Sequence, residues 1–321
     1  MTSTPPPLRE PAEPRFDTDV PESGYRWWYV DGLSADGRNG VVVIGFIGSV
    51  FSPYYYAARG RGPADPENHC ALNIGLYQPE GKRWAMTERG AACLDRGPDW
   101  FSVGHSSMRW LEDRLEIRVR ERSAPLGLPV NGTILVTPRR LNERAFALDP
   151  AGRHLWRPIA PCAGIELRFT RPRLSWSGSG YFDTNAGSRA LEDDFASWNW
   201  SRSHVGGGTA ITYAVTGRDG RERALALEFP ADGPPGELPC PPAKELPASG
   251  WRIPRTTRSD GFPVVLRTLE DTPFYARSLL VDRDKAANPL IMHESLSLDR
   301  FRAPWVRAML PFRMPRFTRR S

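Results

Sequence analysis

The residues best equipped for chemistry crowd into positions 154–204. This stretch holds Arg153-His154-Leu155-Trp156 at its edge, then Gly180-Tyr181-Phe182-Asp183-Thr184-Asn185-Ala186-Gly187. The acidic run Glu192-Asp193-Asp194 and the motif Trp198-Asn199-Trp200-Ser201-Arg202-Ser203-His204 follow. Carboxylates, imidazoles and aromatic rings gathered in one apolar pocket suit general acid–base work. Each residue also has a structural reading. Asp183-Thr184-Asn185 reads equally well as a polar turn. Glu192-Asp193-Asp194 reads better as a solvated helix start, His154 as a structural histidine, and Trp198 and Trp200, two apart, as core or pocket-wall residues. No nucleophile elbow, phosphate-binding glycine loop or dinucleotide fingerprint occurs, so those reaction classes lose support. The four cysteines (Cys70, Cys93, Cys162, Cys240) are scattered without a Cys-x-x-Cys pair, and His69 beside Cys70 lacks metal-ligand spacing. A reducing compartment and no metal are expected.

Positioning such residues falls to strands. With 321 residues the chain allows about two domains at roughly 150 residues each. It is rich in glycine (29), proline (32), Trp (11), Tyr (9) and Phe (14), and these residues punctuate short apolar runs as in all-β proteins. Tyr25-Arg26-Trp27-Trp28-Tyr29-Val30 reads as a first strand, with a hairpin turn at Asp36-Gly37 and a second strand within 40–51. Residues 115–122 alternate, Leu115, Ile117 and Val119 facing one way and charges the other. Strands about ten residues apart suggest a sandwich or barrel. Pro158 and Pro161 mark a boundary near the middle. The expected division is a disordered Pro-rich leader at 1–20, β domains at 21–162 and 163–300, and a basic aromatic tail at 301–321.

The net charge of +6 comes from 43 Lys+Arg against 37 Asp+Glu. Six arginines lie in residues 301–321, which contain no acid, so the rest of the chain is balanced. A balanced body argues against nucleic acid as a partner. In the tail, Phe301, Trp305, Ala308, Met309 and Phe312 fall at helical spacing, with Asp299 as N-cap, Pro304 in the first turn and a break at Pro311. This predicts one short amphipathic helix. The polar N-terminus has no apolar segment of signal-peptide type, so no export is expected. The uncharged stretch 39–58 is long enough to span a bilayer, but its glycines and β-branched run favour a buried strand, so no transmembrane helix is expected.

Four segments resemble the bacterial carotenoid 1,2-hydratases (hydroxyneurosporene synthases). They are Gly24-Tyr25-Arg26-Trp27-Trp28-Tyr29-Val30-Asp31-Gly32-Leu33, Phe46-Ile47-Gly48-Ser49-Val50-Phe51-Ser52-Pro53-Tyr54-Tyr55, the 180–187 motif, and Leu310-Pro311-Phe312-Arg313-Met314-Pro315-Arg316. The resemblance covers about 22–316. One position departs: the family commonly carries aspartate within Trp-x-Trp-Ser-Arg, where this chain has Asn199.

The resemblance implies an all-β fold of two lipocalin-like β-barrel or sandwich domains packed side by side. It also implies cofactor-free addition of water across the terminal 1,2 double bond of acyclic carotenoids such as neurosporene and lycopene. The family's catalytic residues map onto His154, Trp156, Tyr181 and Asp183. On chemical grounds Asp183 would be the acid, Trp156 and Tyr181 would flank the cation, and His154 would be the base, with Trp198 and Trp200 as second-tier substrate contacts. Because the substrate is dissolved in the bilayer, a cytoplasmic enzyme peripherally associated with the inner photosynthetic membrane is expected, docked through Arg302, Trp305, Arg307, Phe312, Arg313 and Arg316. The alternative for the tail is packing on the barrel. The alternatives for the whole chain are a non-enzymatic carrier of an apolar polyene and a related terpenoid-modifying enzyme of the same fold.

Overall fold

The computed structural model describes residues 8–284 and 289–318. The chain forms two compact units, one from Met1–Ala190 with Ala308–Ser321 and the other from Leu191–Arg307.

The first unit is a fourteen-stranded sheet, two of whose strands are the short Leu8–Arg9 and Arg316–Phe317. Its strands are β1 (Tyr25–Ser34), β2 (Gly40–Ile47), β3 (Cys70–Gln78), β4 (Gly81–Arg89), β5 (Leu94–Arg96) and β6 (Trp100–Val103). They continue as β7 (Ser106–Leu111), β8 (Arg114–Ser123), β9 (Leu128–Pro138), β10 (Arg144–Ala147), β11 (His154–Arg171) and β12 (Leu174–Gly187). The order across the sheet is β4-β3-β2-β1-β12-β11-β9-β8-β7-β6-β5, with β10 joined to β11. The pairs β1–β12 and β12–β11 set the candidate residues side by side and are antiparallel. The sheet curls: β4 and β8 lie far apart in strand order, yet Arg89 on one donates to Glu121 on the other at 3.0 Å. Inside the curl sit Trp28, Val30, Val43, Ile74, Phe101, Met108, Ile117, Ile134, Ile165 and Phe182, each contributing about 1.5–3 kcal/mol of apolar burial. Leu115, Ile117 and Val119 all face this core, as their alternation requires. Gly45 is needed where the sheet folds over itself, since a Cβ there would lie 2.8 Å from Met108 Sδ.

Two expectations are corrected here. The boundary at 162/163 falls inside β11, and the first unit runs on to Ala190. Pro158 and Pro161 do not end the strand because its register with β12 shifts between Arg157 and Ala160 and again between Ala160 and Ala163. A bulge leaves a residue out of the ladder, which is where a residue without an N–H is tolerated. Nor is the leader disordered from Leu8 onward: Leu8–Arg9 pairs with β10, and Phe16 is fully buried in the core. Arginines hold this proline-rich segment by its carbonyls, Arg157 donating to Ala12 and Arg96 to Phe16 and Thr18. Met1 to Pro7 lie outside the described residues.

The second unit contains β13 (Phe195–Val205), β14 (Gly208–Gly217), β15 (Glu222–Phe229), β16 (Pro263–Asp271), β17 (Tyr275–Asp282) and β18 (Leu290–Ser297). With the short strand Gly236–Glu237 they form a seven-stranded sheet ordered β15-β14-β13-β18-β17-β16. Its apolar cluster includes Leu246, Leu280 and Ile291. The sequence 191–194 is a single helical turn in which Glu192 is buried, not solvated.

The tail is not one helix. A short helix Leu298–Arg302 is capped by Ser297 Oγ, with Asp299 in its first turn. A second helix, Pro304–Met309, begins at Pro304, and a 3-10 turn covers Leu310–Phe312. Pro304 starts a helix instead of sitting inside one because its ring excludes the preceding turn. Beyond it, Arg316–Phe317 pairs in parallel with Glu88 and Arg89 on β4, so the end of the tail belongs to the first unit's sheet. Arg319 and Arg320 lie outside the described residues. No helix among the described residues is long and apolar enough to cross a membrane.

Candidate active site

The 180–187 motif is a strand, not a turn. Its period-two alternation sends Phe182 into the barrel core and turns Tyr181, Asp183 and Asn185 to the other face. Register then fixes their neighbours. On β1, Asp31, Tyr29, Trp27 and Tyr25 stand opposite Tyr181, Asp183, Asn185 and Gly187, while on β11 Trp156 and His154 stand opposite Asn185 and Gly187. Three strands therefore carry the site on one face and the apolar core on the other.

Asp183 is the focus. Its Oδ2 accepts from Trp156 Nε1 at 2.9 Å and from the Tyr181 hydroxyl at 2.7 Å, and Asn185 Nδ2 lies 3.5 Å from Oδ1. All four side chains are buried. Hydrogen bonds to a carboxylate are shorter and stronger than neutral ones, and burial heightens them. Burial, reinforced by the Asp183 carboxylate alongside, pushes the Tyr181 hydroxyl well above its ordinary range, so it stays a neutral donor.

His154 begins β11, and its backbone N–H is held by Asp149 Oδ1 at 2.9 Å. Its Nδ1 lies 3.0 Å from the Tyr25 hydroxyl, and the two rings are near-parallel with centroids 5.9 Å apart. Tyr25 in turn stacks on Trp27 at 5.0 Å. Gly187 permits this pairing: a Cβ there would come within 2.3 Å of Tyr25 Cε1 and 2.7 Å of His154 Nδ1.

The first unit thus brings Asp183, Tyr181, Trp156 and His154 onto one sheet face. Trp198 and Trp200 belong to the second unit, on β13, where both are buried and Trp198 packs edge-on to Tyr213. Between them Asn199 Oδ1 accepts from Ser295 Oγ at 2.7 Å and from the Thr256 N–H at 3.4 Å. That is an acceptor role which an amide or a carboxylate oxygen fills equally. Tyr25, Asn185 and the fully buried Asp31 lie within the sequence motifs, but residue type alone assigns them no part in the site. The alternation of Tyr25, Trp27, Tyr29 and Asp31 against Trp28 and Val30 carried the signal, but the partner strand did not follow from it. His69 is engaged by Glu88 at 2.8 Å, and no group of three metal-ligating side chains occurs among the described residues.

A family model described as carotenoid hydratase CrtC matches residues 43–321. The acyclic carotenoid 1,2-hydratase of Thiocapsa roseopersicina is 51% identical over 306 residues, covering 94% of this chain and 76% of that protein. The enzyme of the same name from Rubrivivax gelatinosus is 45% identical over 94% of this chain and 76% of its own length. Among solved structures, an AttH protein of Nitrosomonas europaea superposes with a TM-score of 0.59 at 14% identity, covering 90% of this chain and 99% of that one, a likeness of fold alone. The all-β, lipocalin-like architecture agrees with that neighbour, and two of the three strands of the Asp183 face, β11 and β12, lie within the residues matched by the family model. The chain belongs to the carotenoid hydratase family.

Proposed function

We propose that this chain adds water across the terminal 1,2 double bond of acyclic carotenoids, giving a tertiary 1-hydroxy product without a cofactor. The observation that carries the reading is a buried carboxyl group with two polar donors fixed on one of its oxygens. Hydrating an isolated trisubstituted alkene starts with protonation at C2, which leaves the tertiary cation at C1. Asp183, protonated on Oδ1, delivers that proton. The charge appearing on the carboxylate is met by Trp156 Nε1–H and Tyr181 O–H, both already oriented on Oδ2, so little reorganisation accompanies the transfer. The ring faces of Trp156 and Tyr181 flank the cation, a contact worth about 2 kcal/mol when desolvated. Water attacks C1, and His154, steadied by Tyr25, takes the surplus proton and returns it to Asp183 through solvent. The sum is alkene plus water, with the acid and base restored.

The test uses neurosporene or lycopene in deuterated water. One non-exchanging deuterium at C2 is the expected result, and its absence removes the protonation step. Asp183→Asn is expected to stay folded and lose hydration; full activity would end the assignment of the acid. Binding without turnover by the unaltered protein would leave only the carrier reading.

A hydrocarbon substrate also requires contact with the bilayer, and the tail is the proposed contact. Its residues are not equivalent. Trp305 and Phe312 are exposed, whereas Arg316 is paired with Glu88 and Arg313 lies over the Trp84 ring at 4.8 Å. Removing the tail would uncover Glu88, so point substitutions in vesicle-binding assays are the cleaner test.

A further inference from the structure

A groove of about 1270 Å³ lies in the first unit where the ends of β4 and β8 meet the start of β9 and the tail. One wall is the β8–β9 hairpin tip at Ala124, Pro125 and Gly127, and the other is the tail at Phe312, Pro315 and Phe317. Both walls end in exposed apolar side chains. Leu126 is 78% exposed and Leu128 37% on the hairpin, Phe312 80% and Phe317 59% on the tail. Single exposed apolar residues are ordinary, but here Phe312 and Phe317 line the groove, and Leu126 and Leu128 alternate along the hairpin with its lining residues Pro125, Gly127 and Pro129.

The hairpin is a fixed protrusion. Gly127 N–H bonds to Ser123 O at 2.7 Å, Arg122 Nη1 donates to Gly127 O at 3.0 Å, and Gly127 takes the positive φ of 65° that closes the tip. Leu126 is thereby held out in solvent. Between the walls the groove presents four arginines (Arg89, Arg120, Arg122, Arg316) against two carboxylates, Asp95 and Glu121. Glu121 is consumed by Arg89 at 3.0 Å and Ser106 at 2.8 Å, and Arg316 by Glu88. Arg120 and Arg122 form no ion pair among the described residues.

We propose that this rim is a docking surface for an anionic lipid bilayer, with the hairpin tip as a second contact beside the tail. Leu126, Leu128, Phe312 and Phe317 enter the interfacial layer while Arg120 and Arg122 meet lipid phosphates. Apolar prongs flanking a cationic floor fit a headgroup layer over hydrocarbon, the combination that drives interfacial binding. The inference deepens the hydratase reading, which supplies the reason to approach a bilayer, but its geometry stands apart from Asp183.

The test is co-sedimentation of the full chain with vesicles of phosphatidylcholine alone or mixed with phosphatidylglycerol. Expected is binding that prefers the anionic vesicles. Arg120→Gln with Arg122→Gln lowers that partition by about thirtyfold at low salt. Leu126→Asp with Leu128→Asp lowers it by about tenfold or more on either vesicle. Unchanged thermal midpoints control for folding. Partition equal to wild type in both variants overturns the proposal, as does wild-type protein that remains in the supernatant. A two-chain mass in solution that Leu126→Asp reduces to one would assign the rim to a second copy and also overturn it. Assay of the wild-type chain on a micelle-dissolved acyclic carotenoid separates the two readings. Vesicle binding without turnover sinks the hydratase reading alone, and turnover without vesicle binding sinks the docking surface alone.

Discussion

Arg316→Met tests whether the tail is held by charge. Glu88 is fully buried, and Arg316 Nη1 pairs with its Oε1 while Nη2 donates to Asn68 O at 2.9 Å. His69 Nδ1, 2.8 Å from the same carboxylate oxygen, is its other neighbour. Methionine keeps much of the stem and removes the guanidinium, leaving a buried carboxylate without its cation. Breaking a buried pair this way costs about 3–5 kcal/mol, and the retained His69 places the expectation near 3. For a unit of this size that corresponds to a fall in Tm of roughly 6–12 °C. Release of the tail offers partial escape, but it would uncover Leu310 and Met314, forfeiting about 3–6 kcal/mol of apolar burial. Denaturant unfolding gives the global cost, and trypsin cleavage at Arg313 reports tail release. Adding Glu88→Gln removes the stranded charge and should restore stability to within about 1 kcal/mol of wild type. A single Arg316→Met variant within about 0.5 kcal/mol of wild type, with its tail equally resistant to trypsin, would refute the reasoning and release Arg316 for lipid contact.

Three further outcomes are expected. Gly187→Ala forces a methyl against Tyr25 and His154, so it should destabilise the protein by about 1–3 kcal/mol and depress hydration; an active, equally stable variant would show that the pair has room to move. Tyr25→Phe removes the hydroxyl at His154 Nδ1; it should cost about 0.5–1.5 kcal/mol in denaturant unfolding and slow turnover more than it weakens substrate binding, and unchanged turnover would remove Tyr25 from the proton path. In the second unit, burial and the nearby Arg255 charge push His293 down from 6.5 to about 3. The folded state therefore keeps it neutral, and stability present above pH 6.5 drains away as pH falls toward 3, by about 2 kcal/mol at pH 5. With five histidines in the chain, NMR titration checks this directly: a His293 resonance titrating near 6.5 would contradict it.

Much of the first unit was legible because alternation is local. Leu115, Ile117 and Val119 announce their face, and the β-branched 41–47 run announces a buried strand. What stayed hidden was non-local or rule-breaking. Strand β11 runs through Pro158 and Pro161 only because bulges absorb them, and nothing in the prolines themselves distinguishes a bulge from a boundary. The tail's helical spacing was real, yet Pro304 divides it and its end pairs with a strand more than 200 residues earlier. The candidate site residues stand out by type and family motif. Their arrangement does not, since Tyr25 and His154, 129 residues apart, meet only through the register of β1 and β11 on the two edges of β12. Nor did residue type reveal that Trp156 and Tyr181 turn their polar edges to Asp183.

The division of β12 into a core face and a chemical face bears on how variation along this protein is to be interpreted. Phe182 and Asp183 are covalent neighbours, as are Trp27 and Trp28, yet each pair straddles the sheet. One member packs in the barrel and the other lies on the face that carries Asp183, so proximity in sequence says little about shared consequence, whereas positions two apart share it. Mutant libraries built on alternate positions of β1, β11 and β12 would therefore probe the proposed active-site face while leaving the interior packing intact. Contiguous blocks of randomisation would confound the two.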